Sequence, residues 1–162
     1  MADDAGNRGL FLDLVGTLVA MDETRQLPLV DGKIAIRLMP GVIEKLAPIR
    51  DHLIFVVSNQ AGINRGRLTM SAVEDAMGEL DGMLGEILTG WQICPHDDAD
   101  RCECRKPKGG MITELAQMYG VDLAISTMVG DQEIDAAAAA AAGVGRFVQA
   151  GDFFDWSAKR GD

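Results

Sequence analysis

The sequence predicts an α/β domain built on a parallel sheet. Short apolar runs end abruptly in polar residues: Gly9 to Leu12 before Asp13, Leu53 to Val57 before Ser58, and Ser126 to Val129 before Gly130 and Asp131. Stretches with helical spacing separate them. There is no internal repeat and no interdomain linker, so residues 1–162 are expected to form one domain. Strands alternating with helices imply right-handed crossovers, and ligands of such sheets bind at the carboxyl ends of the strands. Asp13, Ser58 and Asp131 all fall there.

In chain order, Gly9 to Leu12 is a buried strand delivering Asp13 to a loop. Leu18 to Met39, broken by Pro28 and Gly32, reads as an irregular flap or short hairpin. Pro40 suits the first turn of a helix whose apolar residues Val42, Ile43, Leu46 and Ile49 run up to Arg50. After the strand Leu53 to Val57, one amphipathic helix is expected from Thr69 to about Leu88, on Val73, Met77, Leu80, Leu84 and Ile87, with Thr69 or Ser71 as its cap. Ile93 to Pro107 is cysteine-rich and loop-like. Gly110 to Tyr119 is a helix stopped by Gly120. The alanine run Ala136 to Ala142 reads as a buried helix, because alanine is the best helix former and packs closely on a sheet. Arg146 to Gln149 is a last strand, and Phe153, Phe154 and Trp156 in the tail are expected to dock on the core.

Composition narrows the classes. Hydrophobic residues at 48% and charged residues at 25% are those of a globular protein, and no apolar run reaches the ~18 residues of a membrane span. The polar, acidic N-terminus lacks the pattern of a secretory signal, which makes cytoplasmic residence the expectation. A net charge of −10 argues against sequence-independent nucleic-acid binding. A small anionic substrate would then need a local positive device, a metal ion or a lysine.

Two carboxylates at strand ends, a hydroxyl at a third and a nearby lysine make a set able to move a phosphoryl group: one carboxylate attacks, a hard dication neutralises oxygens, and the lysine and hydroxyl hold the remaining charge. Asp13 to Thr17 (DLVGT), Ser58 with Asn59 and Gln60, Lys106, and Gly130 to Asp135 (GDQEID) resemble, in this order, the four motifs of the haloacid dehalogenase-like (HAD) superfamily. The resemblance runs from about Phe11 to about Val148. It implies a Rossmann-like three-layer sheet and a nucleophile, Asp13, that forms an aspartyl-phosphate. It further implies Mg²⁺ held by Asp13, Asp131 and the Val15 carbonyl with Asp135 in support, Ser58 on the phosphoryl oxygens, and Lys106 between nucleophile and phosphate. Asn59 and Arg105 are candidate substrate contacts. One departure stands out: phosphatases of this family usually carry a second Asp two positions after the nucleophile, as general acid and base, where this chain has Val15. Such assistance is worth ~10²–10⁴ in rate, so turnover should be slow unless another group substitutes, Asp22 or Glu23 of the flap being the candidates.

Cys94-Pro95-His96 and Cys102-Glu103-Cys104 bring four soft or borderline ligands together, the set for a closed tetrahedral, structural Zn²⁺. The segment CPHDDADRCECRKPK resembles the zinc loop of histidinol-phosphate phosphatase domains and, less closely in length, of heptose-bisphosphate phosphatases, a capless subgroup acting on small phosphorylated metabolites. The resemblance thus implies a capless, Mg²⁺-dependent phosphatase. A relative that keeps the fold but serves as a binding or regulatory module is the second reading, supported by Val15. A polynucleotide-end phosphatase is a third, admitted by an open site and opposed by the net charge. Neither the particular substrate nor the oligomeric state is legible.

Overall fold

The computed structural model describes residues 7–156. Five strands, β1 (Gly9–Leu12), β4 (Leu53–Asn59), β5 (Leu88–Cys94), β6 (Thr127–Gly130) and β7 (Arg146–Gln149), form one parallel sheet in the order β5-β4-β1-β6-β7. β1 is central, with Leu12 opposite Val56 on one side and Val129 on the other. The two-residue period of a strand divides its side chains between two cores. Leu10 and Leu12 join Val56 and Val129 on one face, beneath α1 (Val42–Leu46), α2 (Met70–Met83) and the flap. Phe11, Phe55, Val57 and Met128 point to the other, beneath α3 (Gly110–Tyr119) and α4 (Glu133–Ala142). Helices thus cover both faces, giving the expected three-layer Rossmann-like sheet.

The flap between β1 and β4 contains a small hairpin, β2 (Leu29–Val30) and β3 (Lys33–Ile34), antiparallel in register. Asp31 and Gly32 at its tip both have positive φ, 51° and 78°, as a primed two-residue turn requires. The flap's ends are tied together, since Met39 N donates to Leu18 O and Ala20 N to Arg37 O.

Four expectations need correction. The helix that begins at the Thr69 cap, whose hydroxyl accepts from Ala72 N at 3.0 Å, ends at Met83 rather than near Leu88. The chain reverses at Gly85 and Glu86, the latter at φ 60°, and Leu88–Cys94 then forms edge strand β5, so the loop expected from Ile93 starts only after a strand. The first helix is one short turn and a half, capped by Gly41, with Pro40 outside it and Ile49 beyond its end. The alanine helix buries only one side: of Ala136 to Ala142, Ala138 and Ala139 alone are buried. In the tail, α5 (Ala150–Phe153) places Phe154 in the core, and Trp156 Nε1 donates to Pro40 O at 2.7 Å.

Phe55 is fully buried, stacked on Phe11 with ring centroids 5.0 Å apart and tilted against Tyr119 at 5.3 Å. Phe55→Ala should therefore destabilise the fold by ~3–5 kcal/mol, the range for deleting a buried aromatic ring. The check is a lowered urea midpoint with an unchanged slope.

Candidate active site

The three strand-end residues meet where the sequence puts them, at the carboxyl edge of the sheet. Asp13 N extends the β1–β6 ladder by donating to Val129 O at 3.0 Å, which fixes its carboxylate at the start of the flap. Ser58 is buried near the end of β4, and Asp131 follows β6 directly. Lys106 arrives from the loop after β5 with its side chain 3% exposed. Its three ammonium donors all have partners: Asp13 Oδ1 at 2.6 Å, Asp135 Oδ1 at 2.7 Å and Val57 O at 3.1 Å. Burial alone would push the Lys106 ammonium down; the charges of Asp13 and Asp135 outweigh it and hold the group above its ordinary value. Burial pushes the Asp13 and Asp135 carboxyls up, against the pull of Lys106.

Asp135 links two parts of the site. While Oδ1 accepts from Lys106, Oδ2 accepts from the amides of Asp131 and Gln132 at 3.2 and 3.1 Å, fixing the loop that leads into α4. One carboxylate oxygen each from Asp13, Asp131 and Asp135 lies within 4.8 Å of the others. Asp131 Oδ1 is buried with no hydrogen-bond partner among the described residues, a costly state for a carboxylate oxygen. Gly16 makes this approach possible: its φ is +86°, and a Cβ there would sit 2.4 Å from Asp131 Oδ2.

Around this core the remaining candidates divide. Ser58 Oγ accepts from Gln60 Nε2 at 2.9 Å. Asn59 clamps the Lys106 backbone, Oδ1 accepting from its amide at 2.9 Å and Nδ2 donating to its carbonyl at 3.1 Å. Its amide is thereby occupied in holding the lysine, although Asn59 also lines the pocket. Arg105 does not line it: the guanidinium donates to Asp98 Oδ1 at 2.7 Å and to His96 O at 3.1 Å, inside the cysteine loop. The flap carboxylate Asp22 is likewise engaged, Oδ1 accepting from Thr24 N, Thr24 Oγ1 and Gln26 N and Oδ2 from Arg67 Nη2. The Thr24 hydroxyl and Gln26 amide hold Asp22 below the usual carboxylate range, unsuitable for a proton donor. Glu23 is exposed. The pocket, about 80 Å³, has a buried floor of Asp13, Ser58, Lys106 and Asp135 and a more open rim that includes Val15, Met21, Arg25 and Gln132.

The cysteine cluster lies next to this floor. Cys94 Sγ is 3.0 Å from Cys104 Sγ and 3.6 Å from Cys102 Sγ, and His96 Nδ1 is 3.5 Å from Cys94 Sγ and 3.3 Å from Cys104 Sγ. All three thiols are free. Burial pushes Cys94 and Cys104 up; for Cys102 burial is outweighed by the Arg105 amide and the neighbouring sulfurs, which bring it down to about 6. The loop is braced by Arg65 Nε on Asp97 at 2.9 Å and Asn64 on Asp100 at 2.9 Å.

A HAD-hydrolase-like family model matches residues 103–150, the stretch holding Lys106, Asp131 and Asp135. The D-glycero-beta-D-manno-heptose-1,7-bisphosphate 7-phosphatase of Haemophilus ducreyi is 33% identical over 151 residues, covering 86% of this chain and 80% of that one. The chain belongs to the HAD-like hydrolase family. The enzyme of the same name from Bordetella bronchiseptica is 36% identical over 110 residues, 65% of this HAD-like chain but only 62% of its own length. The crystal structure of a D,D-heptose 1,7-bisphosphate phosphatase from B. bronchiseptica, complexed with magnesium and phosphate, superposes with a TM-score of 0.73 at 27% identity. That match covers 86% of this chain and 78% of the other.

Two site features of this HAD-like chain escaped the sequence reading. Gln60 stands in the sequence only as a motif neighbour, with no sign that it orients Ser58, and Arg25 carries no motif signal at all. The buried triad itself yields a prediction. Lys106→Met leaves Asp13 and Asp135 facing each other without a cation, which should cost about 3–5 kcal/mol, as for other broken buried ion pairs. Both carboxyls then have folded pKa values raised above their unfolded ones, so a shared proton limits the damage at low pH. The deficit relative to wild type should deepen as pH rises from the ordinary carboxylate range toward neutrality, as read by denaturant titrations in a pH series.

Proposed function

We propose that this chain is a Mg²⁺-dependent phosphatase of small phosphate monoesters working through an aspartyl-phosphate at Asp13. The observation that carries the reading is the convergence of Asp13, Ser58 and Lys106 on one pocket, with Asp131 beside Asp13 and its Oδ1 buried and without a partner among the described residues. The oxygen donors fit a hard dication. Asp13, Asp131 and the Val15 carbonyl would hold it, with Asp135, whose two oxygens already have partners, steadying Lys106 and the Asp131 loop. The bound ion would supply positive charge to the phosphoryl oxygens.

In the first step an Asp13 carboxylate oxygen forms a bond to phosphorus as the ester oxygen departs with the electron pair of its bond. Lys106 and Ser58 stabilise the charge on the transferring group without reorganising, because their own partners fix them. In the second step water attacks phosphorus, Asp13 is released as carboxylate, and phosphate departs with the proton balance closed by solvent. Val15 offers no proton to the leaving oxygen and none of the base assistance to water that an Asp there would give, so both steps are slowed. The named relatives make a phosphorylated sugar the first substrate to test. We place the protein in the cytoplasm, since three free thiols gathered with a histidine suit a reducing compartment. Among the described residues no helix is long and apolar enough to cross a membrane. Val15 favours a second reading, a non-catalytic binding module of the same fold.

A phosphate-release panel with Mg²⁺ discriminates the two. Aryl phosphates should react far faster than alkyl phosphates, Asp13→Asn should abolish release, and Val15→Asp should raise alkyl turnover by ~10²–10⁴. No release from any ester and no labelling of Asp13 by a phosphoryl-mimicking fluoride would leave the binding module standing.

The Cys94, His96, Cys102 and Cys104 set is assigned in the same reading to one structural Zn²⁺, thiolate and imidazole being its preferred donors. Elemental analysis should give about one zinc per chain, and Cys102→Ser should lose it. Chelation should lower the melting temperature, because structural zinc binding is folding free energy. Metal-free protein of unchanged stability would end the assignment.

A further inference from the structure

Arg25 occupies a position that no sequence motif marks. It sits on the flap turn Asp22 to Gln26, which is a fixed platform. Asp22 Oδ1 gathers Thr24 N, Thr24 Oγ1 and Gln26 N at 2.8, 2.6 and 3.0 Å, and Arg67 Nη2 joins Asp22 Oδ2 at 3.0 Å to Leu27 O at 2.9 Å. At this turn Arg25 has φ 65°, a left-handed conformation that non-glycine residues adopt only at a cost. The guanidinium reaches inward over the pocket. Its Nη2 lies 3.8 Å from Asp131 Oδ2, and with the Gln132 amide turned to satisfy both groups, Nη2 and Nε donate to the Gln132 side-chain oxygen at 2.6 and 3.3 Å.

The other cations near the site are committed. Lys106 is enclosed by Asp13, Asp135 and Val57 O on the floor, and Arg105 faces away into the cysteine loop. Among the described residues lining the pocket, Arg25 is the one cation on the rim, and its side chain is 60% exposed. An in-line displacement at Asp13 sends the leaving oxygen away from the floor, toward the rim shared by Val15 and Arg25. Val15 can give that oxygen nothing. A guanidinium cannot give up a proton either, but as a charge-assisted donor it lowers the energy of an oxygen that departs as an anion.

Building on the phosphatase reading, we propose that Arg25 is the leaving-group cation of this site, resting on Asp131 when no metal is bound and turned to the departing oxygen when one is. The bond changes are those of the first step above: phosphorus gains Asp13 oxygen, the ester oxygen leaves with the electron pair, and the proton it finally takes comes from water. Two consequences are separable. Arg25 neutralises part of the Asp131 charge in the metal-free protein, so it competes with a dication. In the loaded protein its contribution grows with the charge left on the departing oxygen.

The experiment compares wild type, Arg25→Ala and Arg25→Lys by two measurements. In calorimetric titration with Mg²⁺ alone, Arg25→Ala should bind the ion several-fold more tightly than wild type. In kcat/KM with Mg²⁺ over a series of aryl phosphates and one alkyl phosphate, the Arg25→Ala deficit should widen as the leaving group worsens. It should reach about 10²-fold on the alkyl ester, the scale for loss of one oxyanion donor, with partial recovery in Arg25→Lys. A deficit of equal size on every ester, carried in KM alone, would make Arg25 a docking residue and overturn the proposal. Unchanged Mg²⁺ affinity would overturn its resting place on Asp131. A wild type that binds Mg²⁺ but hydrolyses no ester would instead remove the phosphatase reading, and the leaving-group role with it.

Discussion

The buried bridge of Lys106 between Asp13 and Asp135 is the constraint around which the rest of the structure is arranged. Three charged groups taken out of water are tolerated only if each keeps its partners, and here every part of the surrounding chain contributes to that. β1 and β6 fix Asp13, β4 offers the Val57 carbonyl, the loop after β5 delivers the lysine, and the start of α4 supplies Asp135. Asn59 holds the lysine's backbone from a strand 47 residues away in sequence. The bridge leaves Asp131 as the carboxylate with a free buried oxygen, so the electrostatic asymmetry of the site follows from which acid the lysine takes.

The cysteine loop belongs to the same arrangement. Cys94 ends β5 opposite Asn59 at the end of β4, and Gln60 N donates to Cys94 O at 2.7 Å. A cysteine of the cluster and the residue clamping Lys106 therefore share one rung of the sheet. Arg105, the lysine's chain neighbour, is turned back onto the loop's own Asp98 and His96. Order in the cluster is in this way transmitted to the floor of the pocket over a few bonds.

What was legible in the sequence follows the strength of local signals. β1, β7 and α3 were read to the residue because each is bounded by sharp punctuation: Asp13 after an unbroken apolar run, and Gly120 after a periodic helix. β5 was missed because it is an edge strand whose residues, Cys94 apart, are only partly buried. Leu84 and Ile87 also continue the spacing of the helix before it past the true turn at Gly85 and Glu86. The residues converging on the pocket were legible because strand ends in a parallel sheet converge by topology. The aim of long side chains was not. Arg105 beside Lys106 in sequence turns away, while Arg25 in an unremarkable flap turns in, and both outcomes depend on carboxylates brought near only by folding. Asp22 was illegible in the same way, its availability decided by Thr24, Gln26 and Arg67.

The flap's closed neck sets how the molecule can diversify. Since Leu18 with Met39 and Ala20 with Arg37 join its two ends by backbone bonds next to the sheet, the chain between them can lengthen without disturbing the strands it connects. Doubling a flexible loop costs only about 0.6 kcal/mol in closure entropy. Met21 and Arg25 of the pocket's rim are carried on this segment, whereas the floor is carried on the ends of β1 and β4, the loop after β5 and the start of α4. Insertions in the flap can accordingly reshape that rim in a region that folding scarcely penalises, while the acids and the lysine beneath stay held by the packing of the core.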